Sequence, residues 1–469
     1  MEFISVSLDP HSKTPLYLQL HDHIAREITA GRLRENERLP GKRTAANLLG
    51  VSLSTVDGAY QLLASEGFVE ARPRSGFVVC HLEQLAPPAP EAVHAAGKDG
   101  ETGSAAALSL LTGGVDAALF PFRTWARLFK ETLYNRPDLL AHGDPRGDAD
   151  LRQTIARYLH HARGLSAPAD RIVVGAGMEY LLWLLCHLLK GKRAAVEDPG
   201  YPKVHQILSR GGIDVRFVPL DAQGMEPRAL QAAGADFAYI TPGHQFPTGL
   251  VTPAGRRTEL LKWAAAKPGR WLIEDDYDSE FRYDGRPMPC MQVLDPQRVI
   301  YIGTFSRTIA PAIRVAYMVL PPVLMEEYGR SFSFFSCTVS RFEQQTLFRY
   351  IDEGHFGRSL NKMRKQYRQR RDRLLEELRR VFGALASVEN THTGLSFLLR
   401  PDTDRSEAEI EARARALGLA VRGLGSYGHG PSEGPPALVI GFGSLDGGSI
   451  PAAADLLYQA VFGREEIAF

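Results

Sequence analysis

The stretch "YIGTFSRTIAPAIRVAYMVLP", residues 301–321, sets hydroxyls and guanidiniums between two apolar runs. Thr304 and Arg314 stand on either side of Arg307, and a hydroxyl with a guanidinium suits a phosphate dianion through charge-assisted hydrogen bonds. A second candidate is "EDDYDSEF", 274–281, where Asp275 and Tyr277 lie two residues apart at the end of an apolar run. Side chains two apart on a strand share a face, so both can reach one ligand. A third is "VVGAGMEYLL", 173–182, a Gly-rich turn between a strand-like and a helical run. Free N–H groups at such a helix start can hold phosphate at Gly177, Met178 and Glu179. Taken singly, the third segment also reads as an ordinary turn and the second as a polar strand end.

The elements that must position these residues follow from the alternation around them. "RIVVGAG" precedes the helical "MEYLLWLLCHLLKG", and "RAAVEDPGYP" precedes "KVHQILSRGG". "DFAYITPG", "RWLIEDDYD" and "RVIYIGTFS" are short apolar runs ending in polar or Gly-rich turns. This predicts an α/β domain around a mostly parallel, buried sheet. From about Phe342 to Phe382 the pattern is helical and highly charged. "LSFLLR", "LAVRGL" and "ALVIGFGSL" then predict a smaller C-terminal α/β lobe.

Residues 15–80 read differently, as three helices and a hairpin. "PLYLQLHDHIAREITAG" runs from Pro15 to Gly31, and "GKRTAANLLG" closes on Gly50. In "VSLSTVDGAYQLLASEG", Ser52 is the predicted N-cap, and Val56, Tyr60 and Leu63 share one face. Two short helices joined through a Gly form a helix-turn-helix pattern. "FVEARPRSGFVV" then predicts a hairpin with a basic tip. Residues 1–80 carry nine Lys/Arg and nine Asp/Glu, so placement rather than net charge points to nucleic acid. Arg38, Lys42 and Arg43 precede or open the second helix, no acid intervenes before Asp57, and Arg72 and Arg74 lie at the wing tip. Such a strip suits phosphates and base edges, although the same charges also suit an ordinary solvated surface.

Between the two patterns lies a Pro-, Ala- and Gly-rich run without aromatics, Leu85 to Ala107, which cannot bury a face and reads as a linker. The expected organisation is a DNA-binding domain at 1–81, a flexible linker at 82–107 and an effector and dimerisation domain at 108–469. At 469 residues, with 44% hydrophobic and 23% charged residues and a net charge of +1, composition is ordinary for a globular protein of two or three domains. Four dispersed cysteines with no CxxC pair suggest neither a metal site nor a disulfide framework, and fit a reducing cytoplasm. The start "MEFISVSLDPHSK" lacks the basic and apolar regions of a signal peptide. The most apolar run, residues 180–189, is far short of the ~20 residues needed to span a membrane.

Residues 39–79, "LPGKRTAANLLGVSLSTVDGAYQLLASEGFVEARPRSGFVV", closely resemble the winged helix of GntR-family transcription regulators. Leu39-Pro40, Arg43, Leu49 to Ser52, Thr55-Val56, Ala59-Tyr60, Leu63, Glu66-Gly67 and Ser75-Gly76 fall on that pattern. Gly41 stands where the family often has a capping Ser. The resemblance implies that Lys42, Arg43, Ser54, Thr55, Arg72, Arg74, Ser75 and Gly76 meet double-stranded operator DNA.

From about residue 110 the chain resembles fold type I aminotransferases, which use pyridoxal 5′-phosphate. "EDPGYP" (197–202), "HQFPTG" (244–249) and "EDDYDSEFRYDG" (274–285), joined to a GntR-type head, resemble the MocR-type subgroup. The resemblance implies that Asp275 bonds the pyridine nitrogen, Tyr277 the phenolic oxygen, and that Tyr201 lies near the ring. It assigns the phosphate to Thr304, Ser306 and Arg314 with the turn at 177–179, and an effector carboxylate to Lys203. Phe246 stands where true aminotransferases have Asn.

In that family the residue after the Ser is a lysine that forms an imine with the cofactor; here it is Arg307. A guanidinium stays protonated, with a pKa above about 12, and is a poor nucleophile, so neither the imine nor the usual base for the α-proton is available. The expected site therefore has no catalytic residue and binds pyridoxal phosphate, if at all, without a covalent bond. Two arrangements stay open. Arg307 pairs with the phosphate or another anion, or it fills the pocket by pairing with Asp275 or another acid. The expected function is a homodimeric cytoplasmic transcription regulator sensing pyridoxal phosphate, a B6 vitamer or an amino-acid-like ligand. The competing readings are an aminotransferase with a DNA-binding appendage and a ligand-free dimerisation body.

Overall fold

The structure, a computed structural model, describes residues 8–10, 12, 14–72, 76–81, 108–284, 288–430 and 434–463. The chain divides into two compact units, residues 1–102 and 103–469. The expected linker, 82–107, lies outside the described residues.

The first unit has helices α1 (Leu16–Thr29), α2 (Lys42–Leu49) and α3 (Leu53–Ser65) and an antiparallel hairpin of β1 (Val69–Arg72) and β2 (Gly76–Val79). Gly50, at φ +65°, turns α2 into α3, a backbone state that favours glycine. Ser52 caps α3, its Oγ accepting the Thr55 N–H at 3.1 Å. Val56, Tyr60 and Leu63 are buried against Leu20 and Ile24 of α1. The Tyr60 hydroxyl donates to the Pro40 carbonyl at 3.1 Å, which ties the entry of α2 to the core.

In the second unit, β3 (Leu108–Ser109), α4 (Phe122–Asn135) and α5 (Ala149–Arg163) lead into an alternating series. It runs β4 (Ile172–Gly175), α6 (Met178–Leu188), β5 (Arg193–Asp198), α7 (Pro202–Arg210), β6 (Asp214–Asp221), β7 (Gly224–Met225) and α8 (Pro227–Ala232). It continues through β8 (Phe237–Ile240), α9 (Ala254–Ala265), β9 (Trp271–Asp276), α10 (Met291–Leu294), β10 (Val299–Thr304), β11 (Ala316–Val319) and α11 (Pro322–Phe332). Strands β4 to β11 form one eight-stranded sheet in the order β4-β11-β10-β9-β8-β5-β6-β7. The centre is parallel; β11 and the edge strand β7 run antiparallel to their neighbours. Near-continuous burial of β4, β8, β9 and β10 matches a sheet covered by helices on both faces.

The charged helical stretch is two helices, α12 (Arg341–Asp352) and α13 (His355–Phe382), separated at Gly354, whose φ is +74°. The smaller lobe contains β12 (Ala386–Glu389), β13 (Ser396–Pro401), α14 (Glu407–Ala416), β14 (Leu419–Ala420), β15 (Arg422–Gly423), β16 (Leu438–Gly441) and α15 (Ile450–Phe462). "LAVRGL" reads as one strand in sequence but is two. Leu419–Ala420 pairs in parallel with β3, and Arg422–Gly423 pairs with β16, so the chain changes partner at the buried Val421.

Candidate functional sites

The predicted anion-binding segments converge where the parallel strands end, the usual place for ligands in open α/β sheets. Met178, Glu179, Tyr201, Lys203, Asp275, Tyr277, Thr304, Ser306, Arg307 and Arg314 all line one cleft of about 310 Å³. Gly177, the remaining predicted residue, shapes it from outside: at φ +90° it lets the backbone pass so close to Arg314 that a Cβ would collide with the guanidinium. Arg314 is itself held in the left-handed region at φ +50°, a strained state for a non-glycine residue.

Asp275 sits on β9 and is almost fully buried. Burial, with Asp276, Asp278 and Glu197 nearby, pushes its carboxyl up to about 7 although it accepts the Tyr239 hydroxyl. Tyr277 is not on the strand, as its spacing from Asp275 suggests, but just beyond it. Strand β9 stops at Asp276, whose carboxylate is held by Arg163 and by the Tyr301 hydroxyl (2.6 Å), and the chain then bends. The Tyr277 hydroxyl meets His244 Nδ1 at 2.9 Å, and that nitrogen also lies 2.9 Å from Asp278. Phe246 packs edge-on against Tyr201, Tyr277 and Tyr427, so an apolar ring fills this corner and His244 is the polar neighbour of Tyr277.

At the anion end, Thr304 Oγ1 accepts the Ser306 N–H at 3.1 Å and donates to Ser306 Oγ at 3.0 Å. Glu179 occupies much of this end itself. Its carboxylate lies 2.5 Å from Arg314 and 3.1 Å from Lys203. Partial burial raises the Glu179 carboxyl, but its own backbone N–H, Arg314 and Lys203 outweigh this and hold it at about 2. Arg307 Nη1 donates to the Thr112 carbonyl at 2.6 Å, and Arg307 forms no ion pair with Asp275. Tyr239, Thr241 and His244 complete the surroundings of the cleft and escape sequence reasoning. Each carries one ordinary polar group inside an apolar or turn-like run.

In the first unit the expected basic strip is partly neutralised from within. Lys42 is ion-paired to Asp57 and its Nζ lies 5.1 Å from the Phe77 ring centre. Arg72 is paired with Glu70 and donates to Asn36 at 3.3 Å. Ser54 and Thr55 hydroxyls lie 2.9 and 2.8 Å from Ser52 Oγ, within the cap of α3. Arg43, the second residue of α2, is exposed and has no ion-pair partner among the described residues. Gly76 opens β2 at φ +77°; Arg74 and Ser75 lie outside the described residues.

These two units define a class: a winged helix-turn-helix and a fold type I aminotransferase domain in one chain. Residues 16–79 match the gntR family of bacterial regulatory proteins, and residues 114–416 match aminotransferase class I and II. The uncharacterized HTH-type transcriptional regulator YhdI of Bacillus subtilis is 37% identical over 451 residues, 94% of this chain and 95% of its own. The pyridoxine biosynthesis regulator PdxR of Corynebacterium glutamicum is 32% identical, covering 94% and 95%. The probable rhizopine catabolism regulatory protein MocR of Rhizobium meliloti is 29% identical, covering 94% and 92%. Among solved structures, an archaeal alanine:glyoxylate aminotransferase superposes at a TM-score of 0.68 with 21% identity, over 76% of this chain and 91% of its own, a likeness of fold. The chain belongs to the GntR-family regulators of MocR type, with an aminotransferase class I and II body, and is a DNA-binding transcription regulator. Among the described residues, no helix is long and apolar enough to cross a membrane, and no His, Cys, Asp and Glu cluster could hold a metal.

Proposed function

We propose that this regulator binds pyridoxal 5′-phosphate, or a preformed conjugate of it with an amino acid, reversibly in the cleft of its body and signals that state to operator DNA. The observation that carries the reading is the cleft itself. It keeps a buried carboxylate, a tyrosine, two hydroxyls and an arginine around a cavity in which position 307 is arginine. Asp275 would meet the pyridine nitrogen, Tyr277 the phenolic oxygen and Tyr201 the ring. Thr304, Ser306 and Arg314, with N–H groups at 177–179, would hold the phosphate, and Lys203 an effector carboxylate. The bound cofactor supplies an aldehyde that a primary amine can attack. Arg307, in the position the resemblance assigns to the cofactor lysine, cannot make that attack and instead offers a permanent cation to an anion. Amino-group transfer is therefore not the expected output.

Wild-type protein mixed with pyridoxal phosphate is expected to show a dialysable shift in the cofactor's absorbance and no borohydride-stable adduct at residue 307. A stable adduct at residue 307, or no binding at all, would overturn the reading.

Glu179 sharpens it. An incoming phosphate must compete with a carboxylate already lying on Arg314 and Lys203. Glu179→Gln should raise affinity for pyridoxal phosphate by about tenfold, because like charges at close range oppose each other. Titration by absorbance checks this, and weaker binding by the variant would show that the carboxylate assists the ligand.

The same reading takes the DNA contacts to be Lys42, Arg43, Ser54, Thr55 and the wing, with the domain boundaries at 81 and 108 and the cytoplasm as the compartment. It takes the assembly to be a homodimer, supported by the exposed apolar side chains Phe122, Phe129, Leu133 and Tyr134 along α4.

A further inference from the structure

We infer that a second cavity, adjoining the cleft, receives a positively charged amine carried on the side chain of an amino-acid-like ligand whose other end lies in the cleft. This rests on the proposed cofactor reading. The cavity has a volume of about 200 Å³ and shares Tyr201 and Thr241 with the cleft, so one ligand can enter both. Its polar end is Glu197 on β5, which is 6% exposed. Three donors reach Glu197, and all three go to one oxygen: Oε2 accepts the Thr241 hydroxyl at 2.7 Å, the Thr241 N–H at 3.2 Å and the Gln245 amide at 3.2 Å. No described residue donates to Oε1, although the residue lines the cavity.

The remaining walls favour a cation. Tyr201 and Tyr427 are aromatic, and Phe217 stacks on His429 with ring centres 3.8 Å apart; such faces attract an ammonium group. Among the described residues, neither Lys nor Arg lines the cavity. Burial, and then neighbouring His429, hold His205 below the usual imidazole range. In the absence of a partner, burial pushes the Glu197 carboxyl up to about 7, against the Thr241 and Gln245 donors. A ligand ammonium supplies the missing counter-charge, whereas a carboxylate-bearing side chain would add a second uncompensated one.

The test compares two stable, near-isosteric probes, N-(5′-phosphopyridoxyl)-L-ornithine and N-(5′-phosphopyridoxyl)-L-norleucine, by calorimetry on the full chain. The ornithine probe should bind about tenfold tighter or more, as expected for one charged hydrogen bond. Glu197→Gln should remove that preference while leaving affinity for pyridoxal phosphate itself within about twofold. His205→Trp, at a half-buried wall position, should weaken both long probes and spare N-(5′-phosphopyridoxyl)-L-alanine. Equal affinity for the two probes, or a preference that survives Glu197→Gln in protein that still binds pyridoxal phosphate, overturns the cavity assignment alone. If no probe and no pyridoxal phosphate binds, the cofactor reading falls and the assignment falls with it.

Discussion

Arg307→Lys protein mixed with pyridoxal 5′-phosphate is expected to turn yellow, and borohydride should then fix the cofactor's mass on residue 307. Wild-type protein is expected to give no adduct at residue 307. A lysine amine can shed its proton in a buried site and attack the aldehyde, whereas a guanidinium does not at any pH at which the fold persists. Lysine is also slimmer than the arginine fork, so it enters the space without overpacking. The exchange gives up the hydrogen bond to the Thr112 carbonyl. Asp275, Tyr277, Thr304 and Arg314 stay where they are around the cleft. The change expected is from no adduct to a stoichiometric one, read by absorbance and intact mass. If Arg307→Lys binds no cofactor, the cleft has lost that capacity by some other route, and a body that only dimerises becomes the better account. Enzyme-like amino-group transfer by wild-type protein would refute the role given to Arg307.

The second large effect falls on the head. Arg43→Ala should lower affinity for the operator by about ten- to a hundredfold, the range for loss of one bidentate base contact, with a much smaller loss on unrelated DNA. Arg43 is exposed on the second position of α2, with no acid holding it among the described residues. Lys42→Ala is the control, because Asp57 already holds that cation and its removal takes less from the DNA. Gel-shift titrations with operator and scrambled duplexes separate the two, alongside a thermal melt to verify folding. Unchanged operator binding by Arg43→Ala would assign recognition to other residues.

The sequence shows the frame of this molecule more clearly than its polar pairings. Ser52 before an apolar face was enough to mark the start of α3, and Gly50 enough to mark the turn. The five strand-like runs of the body all became strands, because periodicity and turn chemistry act locally. Asp275, Tyr277 and Thr304 were also legible, since each sits where an apolar run ends, whereas Tyr201, Lys203 and Ser306 came only from the family resemblance. What stayed hidden depends on neighbours distant in sequence. Tyr239 looks like one more buried strand residue; only the parallel pairing of β8 with β9 brings its hydroxyl to Asp275. Glu179 reads as part of a phosphate-binding turn, yet its carboxylate lies on Arg314, 135 positions away. Lys42 and Asp57 look like a cation with no nearby acid, until α2 and α3 fold against each other. The split of "LAVRGL" likewise requires two separate partners, β3 and β16.

The internal ion pairs of the head bear on how such a regulator finds its site in a chromosome. Binding to arbitrary DNA is driven by cations that release counterions from phosphates. With Lys42 held by Asp57 and Arg72 by Glu70, fewer cations are free to do so. Random sequence, present in vast excess, would then compete less strongly for the protein than if those cations were free, and the share available to the operator would depend more on specific contacts. If the body responds to a ligand as proposed, a modest change in operator affinity would pass into promoter occupancy with less loss to the genomic background.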